Sequence, residues 1–390
     1  MDALRGFALV GILVVNATYF ASAFHSTGIE DPAFTSTADT AVRSGISLLF
    51  ETKFYLLFSF LFGYSFTLQR QSAIRRGTPF TASFLRRLTT VFALGAAHAV
   101  LLFTGDILTT YAMLGLVLLA LGNLKPRTAV ITATVLLTTV AAVYAGLGLL
   151  QAASGEYHAP DHAALTAQAQ NLAAQLTGGP GQVVAAHLRD LPGTAAVLLL
   201  FQAPAALAMF LLGLAAGTRT VLADPVRHVR ALRRIQWIGF PVGLAGGLVY
   251  TGAGPHTAGT PYEVYALAVG LLTAPALAAA YAATVLRALH TRNGDRLTRA
   301  LAPAGRMALS NYLLQSTVLA LVFTGYGFGA VGHLPPAAVL ALTLLLYAAQ
   351  LWLSSVWMRT HAHGPVEWLL RAATHLTVPA WKRPGNRPRG

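Results

Sequence analysis

His98 and Asp106 stand eight residues apart, with Gly105 directly before the acid. A carboxylate that accepts from one imidazole nitrogen fixes the tautomer and leaves the other nitrogen as a base. The apolar run around His98 reaches as far as Thr104, and a glycine there can end a helix. A chain that folds back at this turn brings Asp106 to the ring. The two residues are therefore the candidates for acid–base or proton-handling chemistry. The bland alternative for His98 is a hydrogen-bond donor between helices. No second histidine lies at ligand spacing in any helical run, so no metal site is expected.

Other polar residues interrupt apolar runs. Asn16 follows Val14-Val15, Glu51 and Lys53 lie within Leu48-Leu49-Phe50-Glu51-Thr52-Lys53-Phe54-Tyr55, and Glu263 opens an apolar stretch. Asn311 and Gln315 form an i, i+4 pair, and His25 follows the first apolar run. A charge at a bilayer centre costs about 2.5–3.5 kcal/mol on insertion scales, so such residues are candidates for function. Glu51 and Lys53, at i and i+2, do not share a helix face and are not expected to pair. Arg5 and the crowded loop holding Arg75, Arg76, Arg86 and Arg87 are candidates for binding the phosphates of a cytosolic donor such as acyl-CoA. Their bland alternative is to set topology and attract anionic headgroups.

The elements that must position these residues are membrane helices. Of the 390 residues, 55% are hydrophobic and only 10% charged, against about 25% charged in soluble domains. A bilayer core takes about 20 apolar residues per helix. The fold class read from the pattern is an all-α integral membrane protein of about ten transmembrane helices. Their expected spans are 4–24, 45–69, 86–104, 107–123, 128–150, 194–217, 235–252, 263–287, 307–325 and 336–357. With the N-terminus inside, 24 of the 27 Lys and Arg residues fall on the cytoplasmic side; Arg43, Lys53 and Arg189 are the exceptions. That asymmetry supports the count and puts both termini in the cytoplasm. It also explains the net charge of +14 without nucleic acid as a partner. The absence of cysteine excludes disulfides, thiolate metal sites and a catalytic thiol. The first apolar run, Phe7 to Phe24, is too long for a cleaved signal, and its start at Met1-Asp2 reads as a late start site.

In this frame Asn16, Glu51, Lys53, His98, Asp106 and Glu263 all map to the outer half, which suggests a polar cavity there. Outer loops 25–44 and 151–193 flank it, the second with a short surface helix over Ala163–Leu176. Residues 1–358 form the membrane domain. Residues 359–390 form a cytoplasmic tail with an interfacial helix at Pro365–Arg371 and a basic, unstructured end from Trp381. No internal repeat is visible, which disfavours an inverted-repeat transporter.

Several of these residues also carry a resemblance. Asp2-Ala3-Leu4-Arg5-Gly6 with Gly11-Ile12-Leu13-Val14-Val15-Asn16 resembles the first helix of the YeiB-like bacterial membrane proteins, a family defined as a domain of unknown function. Lys53-Phe54-Tyr55, the run Leu57 to Tyr64, His98-Ala99, Gly105-Asp106-Ile107-Leu108, the run Gly305 to Ser316, and Gly364 to Trp368 resemble its later segments. That family in turn is similar to transmembrane acyltransferases, including bacterial sugar O-acetyltransferases and the lysosomal heparan-glucosaminide N-acetyltransferase. The resemblance implies a multi-pass protein of the bacterial plasma membrane with acyl-CoA as co-substrate. It implies a small-molecule, glycan or peptide acceptor whose hydroxyl or amine takes the acyl group at the outer side, and it allows a homo-oligomer. In the sugar enzymes an Arg in the first helix is followed eleven positions later by a His; the same count from Arg5 gives Asn16. His25 or His98 must then supply the imidazole, with Asn16, Lys53 or Asn311 hydrogen-bonding the oxyanion. The alternative function is a proton-coupled exporter of a small molecule or peptide, with Glu51, His98 and Asp106 as its relay. A lipid-interacting or assembly protein without catalysis is the third reading.

Overall fold

The computed structural model describes residues 1–155, 161–219, 228–254 and 257–383, and the elements found there are helices. In chain order they are α1 (Asp2–Ala21), α2 (Phe24–Thr27), α3 (Thr37–Leu49), α4 (Lys53–Arg75), α5 (Phe80–Leu101), α6 (Ile107–Leu121) and α7 (Pro126–Ser154). After them come α8 (His162–Leu176), α9 (Pro180–Val197), α10 (Ala203–Thr218), α11 (Val229–Thr251) and α12 (Pro261–Ala288). The last four are α13 (Gly294–Arg306), α14 (Ala308–Phe323), α15 (Pro336–Thr360) and α16 (Pro365–His375). A π-helical turn, Leu198–Gln202, joins α9 to α10 just ahead of Pro204. Proline has no N–H for the regular ladder, and a widened turn accommodates the gap.

This is a membrane protein. Among the described residues, seven helical stretches are long and apolar enough to cross a bilayer: α1, α3 with α4, α5, α7, α9 with α10, α12 and α15. Two more helices, α6 and α14, are apolar but shorter. Each of the ten expected spans falls on a helix. The second needs correction: it is broken at Phe50–Thr52, and Thr52 has φ of 67°. Glu51 and Lys53 therefore sit at a junction of two helices rather than within one.

Small residues let the helices approach closely, as is usual where lipid removes the hydrophobic drive between them. A Cβ on Gly63 of α4 would lie 2.0 Å from the Phe210 carbonyl of α10, and one on Gly213 would lie 2.1 Å from the Phe60 carbonyl. The expected surface helix in the second long loop is α8. Its Ala169 packs with Phe20, Leu319, Phe323 and Val331, so it closes over one end of α1 and α14.

The tail segment from Pro365 forms α16, which does more than lie at an interface. It buries Leu370 and Thr374, and Arg86 Nε of α5 donates to the Thr374 carbonyl at 2.9 Å. Trp357, Trp368 and Trp381 pack edge-on to fold the tail back, with ring centroids 5.3 and 5.9 Å apart. The basic end beyond Arg383, and the stretch 220–227 of the Arg219–Arg234 cluster, lie outside the described residues.

Candidate functional site

The α5–α6 turn folds back as its glycine suggests. Asp106 caps α6 by accepting from the Thr109 amide through Oδ2 at 2.8 Å. Its Oδ1 lies 3.0 Å from His98 Nδ1, and both side chains are 1% exposed. Gly95, one turn before His98, makes room: a Cβ there would stand 2.6 Å from Asp106 Oδ2. A carboxylate at this distance from Nδ1 favours the tautomer protonated there, which would leave Nε2 with its lone pair. The 3.0 Å approach lacks the alignment of a full hydrogen bond at the His98 nitrogens and Asp106 Oδ1. The ring of Tyr312, from α14, is centred 5.0 Å from the His98 ring.

A cavity of about 840 Å³ approaches this pair from the opposite end of the bundle. One end is basic, with Arg5, Arg76, Arg86, Arg87, Arg306 and Arg371 joined by His363 and His375. The other is walled by Ile12, Phe58, Leu108, Tyr111 and Tyr312. Along α4 the lining runs from Arg76 to Phe58, about 27 Å at 1.5 Å per residue. The far end thus reaches Leu108, two residues past Asp106, and Tyr312, the side chain against His98.

One carboxylate, Glu367, lines the basic end among the described residues. Glu367 of α16 accepts from the Leu309 amide at 2.7 Å, the Ser310 amide at 3.1 Å and the Ser310 hydroxyl at 2.5 Å. It caps α14 from 58 residues away in the chain. Burial pushes this carboxyl above the usual carboxylate range, and the Ser310 bonds pull it partly back. Burial also pushes His375 below its ordinary value, helped by Arg371, Arg76, Arg86 and Arg87. Arg5 pairs with Asp2 at 3.0 Å and donates to the Ser65 hydroxyl, while Arg87 Nε is buried without a hydrogen-bond partner among the described residues.

The remaining expected residues do not share one outer cavity. His25 stands 3.8 Å from Glu51, edge-on to the Tyr19 ring at 4.2 Å. Burial lowers the His25 pKa, and Glu51 opposes that effect. Lys53 donates to the Ser47 carbonyl at 2.9 Å and lies 5.5 Å over the Tyr250 ring. Glu263 accepts from the Gly259 amide at 2.8 Å, a local cap. Asn311 donates to Ser354 Oγ at 2.9 Å and to the Ala304 carbonyl at 3.2 Å, and Gln315 donates to Gln350 at 2.8 Å. These bonds tie α14 to α13 and α15 and occupy the Asn311 amide offered for an oxyanion. Asn16 is half-buried on α1, and Arg75 is exposed and absent from the cavity wall. Among the described residues no three His, Cys, Asp or Glu side chains gather to hold a metal. Tyr312, Glu367, Arg306 and Arg371 were not singled out from the sequence. Tyr312 lies in the quoted run Gly305 to Ser316, and its neutral ring among apolar neighbours carried no signal.

Over its whole length the chain resembles bacterial proteins. It is 32% identical over 392 residues to the uncharacterized protein YxaH of Bacillus subtilis (strain 168), covering 97% of this chain and 94% of that one. Residues 216–377 match the family described as "Protein of unknown function (DUF418)". The chain belongs to this YeiB-like DUF418 family. A further member, the uncharacterized protein YeiB of Escherichia coli (strain K12), is 28% identical, over 96% of this chain and 95% of its own. The uncharacterized 39.9 kDa protein in the amylase 3' region of Bacillus acidopullulyticus is 27% identical, over 96% and 93%. No solved structure matches the chain. The DUF418 match includes Tyr312 and Glu367, whereas His98 and Asp106 lie outside it, in the part that the full-length relatives cover.

Proposed function

We propose that this DUF418 protein is a membrane-bound acyltransferase that uses cytosolic acyl-CoA and acylates a hydroxyl or amine acceptor at the outer side. One observation carries the reading: a single cavity runs from a cluster of arginines to the side chain that packs on the buried His98–Asp106 pair. Arginine forks suit phosphate oxygens. The donor's phosphates bind Arg5, Arg76, Arg86, Arg87, Arg306 and Arg371, and its acyl arm lies along the apolar wall. His98, with its proton held on Nδ1 by Asp106, takes the acceptor proton through Nε2.

The rest of the proposal follows from charge. The arginine end of the cavity faces the cytoplasm by the positive-inside rule, with ten spans and both termini inside a bacterial plasma membrane. His98 and not His25 is the imidazole, because His98 has a buried carboxylate partner and adjoins the cavity end. The resemblance to transmembrane acyltransferases agrees with this direction of transfer. The test is direct. Purified protein in lipid nanodiscs is titrated with acetyl-CoA by calorimetry, and thiol release on adding glucosamine, a probe carrying both hydroxyls and an amine, is followed in wild type and His98→Ala. Saturable binding with release that needs His98 supports the proposal. No binding, or equal release from both proteins, sinks it.

A further inference from the structure

The basic part of the cavity is longer than phosphates alone require. Ser65, which accepts from Arg5, lies on the α4 wall. Arg76 stands eleven residues from it at the basic end and Phe58 seven residues from it at the apolar end. At 1.5 Å per residue these distances are about 16 Å and about 10 Å. Arg87 is near enough to Arg5 for the like charges to repel, and its Nε has no hydrogen-bond partner among the described residues. An anion between the two guanidiniums answers both conditions. A donor whose diphosphate sits there sends its acyl arm into the shorter, apolar part. The longer part is left for the group on the other side of the diphosphate.

In that longer part the wall changes character. Ser72, Thr78 and Ser83 are polar, Arg76 and Arg86 are charged, and the half-buried ring of Phe80 lies among them. Phe84 stacks behind Phe80 with centroids 5.2 Å and planes 23° apart, and Phe66 meets it edge-on at 5.3 Å and 77°. Phe66 and Phe84 belong to the hydrophobic core. The turn that delivers Phe80 is also fixed. Gly77 takes φ of 64°, and the Thr78 amide donates back to the Ala73 carbonyl at 3.0 Å. Phe80 is thus a rigid ring, backed by the core and bordering the cavity four residues past Arg76. A planar ring set among polar and charged groups is a platform for another planar ring, and guanidiniums beside it strengthen such a stack.

We infer that Phe80 stacks the nucleobase of the acyl donor, so that the donor is gripped as a nucleotide and not by its phosphates alone. This rests on the acyl-transfer reading above. It names the donor's chemistry as a nucleoside joined to a diphosphate whose other end carries the acyl arm.

The test uses full-length protein in nanodiscs and two donors. One is acetyl-CoA; the other is S-acetyl-phosphopantetheine, which has the same arm and thioester and a phosphate but no nucleoside. Phe80→Leu removes the ring and keeps apolar volume against Phe84. By calorimetry it is expected to bind acetyl-CoA about 5- to 50-fold more weakly than wild type, and S-acetyl-phosphopantetheine within about twofold. Phe80→Trp, which restores a ring, is expected to hold acetyl-CoA within about threefold of wild type. In NMR of excess acetyl-CoA, wild type moves the adenine ring protons upfield through the ring current of Phe80. Phe80→Leu loses that shift and Phe80→Trp enlarges it, so the pair of ringed proteins decides the matter even where Phe80→Leu folds poorly. A purely structural role for Phe80 weakens both donors alike and leaves the adenine protons unmoved. Equal weakening of the two donors, unchanged acetyl-CoA binding by Phe80→Leu, or no upfield shift in wild type overturns the stacking. In each of those outcomes thiol release that needs His98 leaves the acyl-transfer reading standing. A wild type that binds neither donor, or a His98→Ala protein with full release, removes both.

Discussion

Replacing Glu367 tests whether the C-terminal helix is built into the site or merely lies beside it. The carboxylate accepts two backbone amides and the Ser310 hydroxyl at the first turn of α14. In Glu367→Ala those donors lose their acceptor. Losing a helix cap costs about 0.5–2 kcal/mol, and a buried donor left unpaired costs about 1–3 kcal/mol. The adjoining cavity can admit water to the freed amides, which favours the lower part of these ranges. The expected loss is about 1–2 kcal/mol, which for a chain of 390 residues is a fall of about 1–2.5 °C in melting temperature.

The pH dependence supplies a sharper check. Burial holds the folded Glu367 carboxyl above its usual range, so the folded protein keeps this proton at pH values where the unfolded chain has lost it. Such a group favours the fold most below the unfolded pKa of about 4.3, and its contribution declines as pH rises toward the folded pKa. Glu367→Gln imitates the protonated acid at every pH. Its stability relative to wild type should therefore rise as pH is taken upward through that window, and the deficit of Glu367→Ala should shrink. Thermal unfolding in detergent, followed by tryptophan fluorescence across the pH series, measures both. An alanine variant that melts with wild type, or a deficit that grows with pH, refutes the reasoning.

Three further outcomes are expected. Asp106→Asn keeps a residue able to cap α6 but loses the charge that holds the His98 proton, so the protein folds and thiol release falls by about 10²-fold or more. Arg87→Ala removes a guanidinium from the basic end, and a charge-assisted bond of about 1.5–3 kcal/mol predicts roughly 10- to 100-fold weaker acetyl-CoA binding by calorimetry. Arg75→Ala, exposed and outside the wall, leaves the affinity unchanged in the same titration. Gly213→Ala pushes a methyl onto the Phe60 carbonyl, and forcing α4 from α10 lowers stability by about 1–3 kcal/mol in detergent melts.

The sequence made depth legible and left position around the bundle hidden. Apolar length and the placement of arginine are properties of each segment alone, so the spans and the basic end could be read locally. His98 and Asp106 could be paired because the turn between them is short and its glycine announces it. Glu51, Lys53 and Glu263 were assigned one depth, yet Glu51 and Lys53 meet at Tyr250 while Glu263 caps its own helix at Gly259. Residues at one level of a bundle need not face one another. The break at Thr52 carried no glycine or proline to mark it. Asn311 and Gln315 looked like site residues because polar side chains in lipid are costly, and that cost is equally well met by bonding across to Ser354 and Gln350. Tyr312 and Glu367 were illegible for the opposite reason. Their roles depend on contacts with His98, 214 positions away, and with an α14 amide 58 positions away. Only tertiary packing brings those residues together. The cavity was likewise expected on the outer side, where the costly polar residues are. The cavity found runs instead from the arginines to Tyr312. The proposed transfer across the bilayer asks for such a layout, with the donor's phosphates at the charged end and the His98 base behind Tyr312 at the other.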